Sequence, residues 1–443
     1  MTIANIEGAG AATHVASRQM RNAMVASVLG WSLDLFDLFI LLYVAPVVGA
    51  LFFPSSVPTL SLAAVYASFA VTLLVRPVGS AVFGHYADVY GRKGAMLAAI
   101  VGVGVSTAAF GLLPTIAQVG IVAPVLFLIL RLVQGIFVGG VVASTHTIGT
   151  ESVSPNWRGA MSGLVGGGGA GIGALLASFI FLVMSSIFPG DAFAVWGWRC
   201  MFFSGLLTSL LGWFIFNNLE ESPFFKAHLQ MKLAGKIETT RAPVKLLFSG
   251  RYRYVLLLNL LLTFGGGAGY YLTSGYLPSF LKLVNGVPNG VSSLILMGAS
   301  VAALVSAVLV GAISDLIGRK KTFLLVGVCM AVLLPVCYLG MAKATDTTAI
   351  TLYALAIAFL GNAGYAPVLI FLNERFPTEV RASGTGLSWN IGFAFGGMMP
   401  TFVSLASAGP AQIPMSLSVF AVVIFVIYLV GAAMIPETKG DFR

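Results

Sequence analysis

The sequence predicts an all-α membrane protein whose twelve transmembrane helices form two six-helix halves. Three observations carry that reading. Of 443 residues, 58% are hydrophobic and only 9% charged, whereas an ordinary soluble domain is roughly 25% charged. Twelve mostly apolar runs, each close to the about 20 residues that cross a bilayer, are separated by charged, polar or proline-containing breaks. A pattern of glycine, acid and basic pair in the first half recurs in the second.

The elements follow in order. Residues 1–22 are polar and end in Arg18 and Arg21, and the run after them, 24–49, is too long for a cleavable leader's core, so it stays as an anchor. That run contains GWSLDLFDLFILLY, Gly30 to Tyr43, with Asp34 and Asp37 in its middle. The second run, 60–84, carries Arg76 before Pro77, and the third spans 95–114. The fourth, 119–149, holds Arg131; the fifth, 159–187, opens on Gly166 to Gly169; the sixth is 195–217. The longest polar break, 218–252, has no sustained apolar run and is read as a cytoplasmic central loop between the halves 1–217 and 253–443. The seventh run, 253–281, sets Tyr270 and Tyr271 beside Gly265 to Gly267, where the glycines permit a bent or broken helix. The remaining runs are 290–313, 322–341, 348–373, 382–407 and 412–435.

The net charge of +9 is accounted for by topology and needs no nucleic-acid partner. With the N-terminus inside, nineteen Lys and Arg fall on that side, against three (Arg199, Lys282 and Lys343) on the other. The positive-inside rule then places both termini in the cytoplasm and the chain in the cell's inner (plasma) membrane. Cys200, Cys329 and Cys337 lie in or beside apolar runs without metal-ligand spacing, so no disulfide framework, metal or cofactor is expected.

The internal repeat is specific. Gly84-His-Tyr-Ala-Asp88-Val-Tyr-Gly91-Arg92-Lys93 matches the spacing of Gly311-Ala-Ile-Ser-Asp315-Leu-Ile-Gly318-Arg319-Lys320. Glu151 and Arg158 repeat as Glu374 and Arg381 at nearly the same offset. Each copy falls in a short cytoplasmic loop, where glycine gives backbone freedom and an acid beside a basic pair can bond neighbouring helix ends. Gly84, Asp88, Gly91, Arg92, Glu151, Arg158, Asp315, Arg319, Glu374 and Arg381 are the expected cytoplasmic gate.

The repeated stretch resembles the G-x-x-x-D-x-x-G-R-K signature of the major facilitator superfamily, and the likeness runs over nearly the whole chain. Arg131-Leu-Val-Gln-Gly135, Leu219-Glu-Glu-Ser-Pro223 and Pro436-Glu-Thr-Lys-Gly440 are further marks of it. Phe52-Phe-Pro54, Arg76-Pro-Val-Gly79 and Phe376-Pro-Thr-Glu-Val-Arg381 look like the metabolite:proton symporters, which carry carboxylates, proline or betaine. Asp34-Leu-Phe-Asp37-Leu-Phe39 stands where that group reads Glu-Trp-Tyr-Asp-Phe-Phe, and Gly139-Gly140-Val141 where it has Gly-Gly-Glu. Sialate and lactate symporters, and the sugar porters, are near in pattern. The resemblance implies alternating access about a midplane site.

Asp34 and Asp37, three residues apart, share one side of a helix. A charge at the bilayer centre costs about 2.5–3.5 kcal/mol on insertion scales, so each should meet a partner or a water cavity. By resemblance Asp37 lies near Arg131, and a changing distance between them would change proton affinity; Asp34, Asp37 and Arg131 are the expected proton-coupling set. Arg76 is placed to hold an anion or to pair with Asp34. Tyr270, Tyr271, Asn362, Tyr365, Trp389 and Asn390 supply polar tips for the rest of a substrate site. The glycines of the fifth and eleventh runs have no following Lys-Ser/Thr, which argues against a nucleotide loop and for close helix packing.

The expected function is proton-coupled symport of a small organic anion such as a mono- or dicarboxylate, by a monomer in the lipid bilayer without enzymatic chemistry. A zwitterion or osmolyte carrier of the proline or betaine kind, a sugar-acid symporter, or a receptor that binds without transport are the alternatives.

Overall fold

The computed structural model describes residues 3–90, 92–151, 157–217, 250–376 and 381–441. Among them every regular element is helical. The predicted runs appear as α1 (Ile3–Phe52), α2 (Pro58–Tyr90), α3 (Arg92–Phe110), α4 (Val122–Glu151), α5 (Arg158–Ile187) and α6 (Phe193–Phe214). They continue as α7 (Tyr252–Leu283), α8 (Asn289–Ile317), α9 (Arg319–Lys343), α10 (Thr347–Arg375), α11 (Arg381–Gly397 with Met399–Ala406) and α12 (Ile413–Met434). Ten of the described helices are long and apolar enough to cross a membrane; α3 contributes the shorter apolar stretch Leu97–Phe110, and α11 is divided at Met398. Helix α1 begins at Ile3, well before its apolar run, so the polar leading stretch continues the same helix.

Several helices change winding where the sequence loosens them. The glycine run in α5 falls in a π-turn, Leu164–Gly168, and α7 widens in the same way at Tyr271–Gly275, directly after Tyr270. A third π-turn, Phe193–Gly197, opens α6. Glycine costs a helix about 1 kcal/mol relative to alanine, and single π-turns commonly mark functional positions.

Packing repeats between the halves. The pairs α1 with α5, α2 with α4 and α3 with α6 recur as α7 with α11, α8 with α10 and α9 with α12. Across the molecule α5 lies along α8 and α2 along α11. Glycine makes the first contact possible: Gly163 meets the backbone of Ala307, and Gly311 meets that of Gly159, at distances where a side chain has no room. The outward faces carry Leu74, Val105, Leu210, Phe214, Leu325, Val336 and Val423, each more than half exposed. Such a belt suits lipid, where helices satisfy their own backbone groups.

Candidate functional site

Between α1, α5, α7, α8 and α10 the packing leaves a small chamber. Its walls include Phe39, Tyr43, Gly171, Tyr270, Ser274, Ser300 and Asn362. In this conformation it has room for about one water molecule. Two wall groups have unmet hydrogen-bonding capacity: the Tyr270 hydroxyl and Asn362 Oδ1. Asn362 Nδ2 donates to the Ala358 carbonyl at 3.1 Å and to Ser274 Oγ at 3.4 Å, which fixes the amide with its free oxygen turned away from them.

Aromatic rings crowd beside this chamber. Tyr270 stacks on Tyr365 with centroids 5.4 Å apart, Tyr365 meets Trp389 edge-on at 5.2 Å, and Trp389 stacks on Phe393 at 4.0 Å. Trp31 of α1 meets Trp389 at 6.0 Å and donates its indole N–H to the Gly166 carbonyl, inside the α5 π-turn, at 3.0 Å. Tyr271 packs between Phe69 and Phe393. Asn390, on the other side of Trp389, is partly exposed and is not part of the chamber wall.

Asp34 is 5% exposed and neither of its oxygens has a hydrogen-bond partner. Arg76, also buried, lies within electrostatic reach of Asp34, as do Tyr270, Tyr271 and Tyr365. Arg76 Nε has no partner either. The acid and base therefore share one neighbourhood without bonding each other, and each keeps capacity for a ligand.

Asp37 and Arg131 depart from the expected pairing. Asp37 faces α6, where Thr208 Oγ1 lies 3.4 and 3.5 Å from its two oxygens. Arg131, 2% exposed, donates from Nη1 to Gln134 at 2.6 Å, and Gln134 in turn donates to Thr107 at 2.7 Å. The guanidinium lies over the Phe110 ring at 4.2 Å and near that of Phe127 at 5.1 Å. Arg131 thus meets an amide dipole and two ring faces rather than the α1 carboxylate, and its Nε and Nη2 have no hydrogen-bond partner. In this conformation the two are not an ion pair.

The second copy of the repeated motif forms a bonded cluster at the end that carries the C-terminal tail. Arg319 pairs with Asp315 at 2.8 Å and with Glu374 at 3.1 Å. Asp315 also accepts from the backbone N–H groups of Gly159 and Ala160 at 2.9 and 3.0 Å, so α8 caps the start of α5. Glu437 accepts from the first backbone N–H groups of α9, and Thr438 donates to Glu374 at 2.9 Å. Arg158 is partly buried at the same place. Gly84, Asp88, Gly91, Arg92, Glu151 and Arg381 lie outside the residues whose side chains are described, as does most of the 218–252 loop.

The two halves also meet at the opposite end. Thr59 of α2 donates to the Ser407 carbonyl after α11 at 2.8 Å, Tyr66 bonds Ser279 at 2.9 Å, and Tyr66 stacks on Tyr276 at 5.2 Å. The first and last six helices are therefore in contact at both ends of the molecule. Sequence reasoning missed Thr208, Gln134, Thr107 and Trp31. The only signal for the first three was a hydroxyl or amide inside an apolar run.

A family model described as Major Facilitator Superfamily matches residues 23–401. The chain belongs to that superfamily. As a major facilitator protein it is a multi-pass membrane protein and a secondary transporter. It is 29% identical to the inner membrane metabolite transport protein YhjE of Escherichia coli over 86% of either chain. It is 29% identical to the proline/betaine transporter of the same species, covering 95% of this chain and 84% of that one. The glycine betaine/proline/ectoine/pipecolic acid transporter OusA of Dickeya dadantii is 28% identical at the same coverage. Among solved structures, the proton:xylose symporter XylE bound to 6-bromo-6-deoxy-D-glucose superposes with a TM-score of 0.74 at 17% identity, covering 96% and 97% of the two chains. The partially occluded inward-open form of XylE from E. coli gives 0.71 at 19% identity over 96% and 99%. At that identity the likeness establishes the major facilitator fold, with its twelve-helix plan.

Proposed function

We propose that the chain is a proton-coupled symporter of a small zwitterionic carboxylate, an amino acid, imino acid or betaine, working by alternating access as a monomer with both termini cytoplasmic. The observation that carries this reading is the pair of opposite charges, Asp34 and Arg76, buried beside an aromatic cluster without bonding each other. A substrate carboxylate would answer the guanidinium, and a cationic nitrogen would sit against the rings and the carboxylate. The mono- or dicarboxylate expected from sequence would answer Arg76 but set a second negative charge beside the buried Asp34. Two relatives, transporters of proline and betaine, point the same way.

Proton coupling falls to Asp37, whose carboxylate has only a hydroxyl for company, with Asp34 and Arg131 as its modulators. The test is uptake into proteoliposomes under an imposed proton gradient, comparing proline and glycine betaine with a dicarboxylate. Gradient-driven accumulation of a zwitterion supports the reading. Accumulation of the dicarboxylate alone returns the anion reading, and saturable binding without counterflow identifies a receptor.

A further inference from the structure

The wall of the central chamber holds an unmet acceptor. Asn362 is 1% exposed, and no described group donates to its Oδ1. The amide cannot turn over to cure this. Its Nδ2 donates to the Ala358 carbonyl at 3.1 Å and to Ser274 Oγ at 3.4 Å, and exchanging the two atoms would set oxygen against the Ala358 oxygen. The free oxygen faces the other half of the molecule. A side-chain carbon placed at Gly167, in the α5 π-turn, would lie 3.3 Å from it and 3.4 Å from the Tyr365 ring, so the oxygen abuts α5 at a residue without a side chain.

The rest of the wall offers little to compete with it. The Tyr43 hydroxyl bonds Ser178 at 2.9 Å and the Ala174 carbonyl at 3.2 Å, and Ser300 donates to the Leu296 carbonyl at 2.7 Å. The Tyr270 hydroxyl has no partner but can donate or accept, whereas a carbonyl oxygen only accepts. Among the described residues no Asp, Glu, Lys, Arg or His lines the chamber, and Phe39, Tyr43 and Tyr270 supply ring faces. A cationic nitrogen lodged there would have rings around it and the Asn362 carbonyl in front of it. A ligand with an N–H satisfies that oxygen. One that presents only methyl groups leaves it buried and unpaired, having displaced whatever water could reach it.

We propose that Asn362 sets specificity among zwitterions: its carbonyl accepts a hydrogen bond from the cationic nitrogen of an amino or imino acid, and so disfavours fully N-methylated betaines, whose nitrogen has no hydrogen to give. The carboxylate of the same substrate is left to Arg76, which acts on Tyr271 and Tyr365 beside the chamber. The inference rests on the zwitterion reading above and divides the class of substrates which that reading admits.

The test titrates the full chain, purified in detergent, with two matched pairs by calorimetry: proline against N,N-dimethylproline, and N-methylglycine against glycine betaine. The N–H member of each pair is expected to bind about ten- to hundredfold tighter, the effect of leaving one buried carbonyl unpaired. In Asn362→Leu, close in size but without the acceptor, that ratio should fall towards one through lost affinity for the N–H members. Equal affinities within the pairs, or tighter binding of the methylated member, overturn the proposal in the parent chain alone and leave the zwitterion reading standing. Binding of no member of either pair overturns both. A ratio that survives in Asn362→Leu means that bulk rather than hydrogen bonding excludes the methyl groups, and likewise overturns the assignment to Asn362.

Discussion

Asp37 is a buried carboxylate whose nearest polar neighbour, Thr208 Oγ1, lies 3.4 and 3.5 Å from its oxygens and donates its hydrogen to the Gly205 carbonyl at 2.6 Å, with no cation in contact among the described residues. Neutralising it by Asp37→Asn should abolish proton-driven accumulation while leaving membrane insertion intact; unaltered gradient-driven uptake in that variant would remove Asp37 from the coupling scheme. Arg76→Ala should weaken carboxylate ligands roughly ten- to hundredfold, because a hydrogen bond to a charged group contributes about 1.5–3 kcal/mol. Affinity measurements with neutral analogues check this: an equal loss for them would make Arg76 a packing residue. The identity of Asp34, Asp37, Arg76 and Arg131 as the polar exceptions was legible in the sequence, since charge stands out in a hydrocarbon run. Their partners were not legible. Whether an acid on α1 meets Arg131 or Thr208 depends on how far the helix is rotated about its axis, and periodicity alone leaves that angle open.

The helices themselves were legible as twelve apolar runs, but their internal breaks were not. Nothing in the local pattern sets the π-turn at Phe193–Gly197 apart from ordinary helix, because it answers to tertiary packing, whereas Gly265 to Gly267 signalled a loosened α7 a few residues before its π-turn at Tyr271–Gly275. At α5 the glycine run did signal loosened winding and close approach. Gly163→Val would drive a side chain into the Ala307 backbone, and overpacking of that kind typically costs about 1–3 kcal/mol, readable as a lower melting temperature. At the start of α9, partial burial raises the proton affinity of Glu437, yet the backbone N–H groups of Lys439, Arg319, Lys320 and Thr438 outweigh it and hold the carboxyl below the usual range. A depressed folded-state pKa stabilises above the unfolded value, about 4.3 for Glu, and that stability is lost as pH falls through the folded value. The melting-temperature gap between the parent and Glu437→Gln should therefore be present at neutral pH and close in acid; a gap constant down to strong acid would contradict the cap.

Across the whole molecule, the recurrence of α1–α5, α2–α4 and α3–α6 packing as α7–α11, α8–α10 and α9–α12 gives spatial form to a repeat first visible in two short motifs. The contacts between the halves at both ends could not be foreseen, because they join residues such as Thr59 and Ser407 that no local pattern links. Glu374→Ala should lower stability by about 3–5 kcal/mol, since it leaves Arg319 buried with one ion partner fewer; thermal unfolding in detergent checks it. The grip of Asp315 on the Gly159 and Ala160 amides has a kinetic consequence. Those two hydrogens belong to α5 while their acceptor belongs to α8, so they are shielded from deuterium only while the lobes touch. Mass-spectrometric deuteration of the peptide around Gly159, followed as substrate is added, would report what fraction of the time α5 and α8 stand apart at this end.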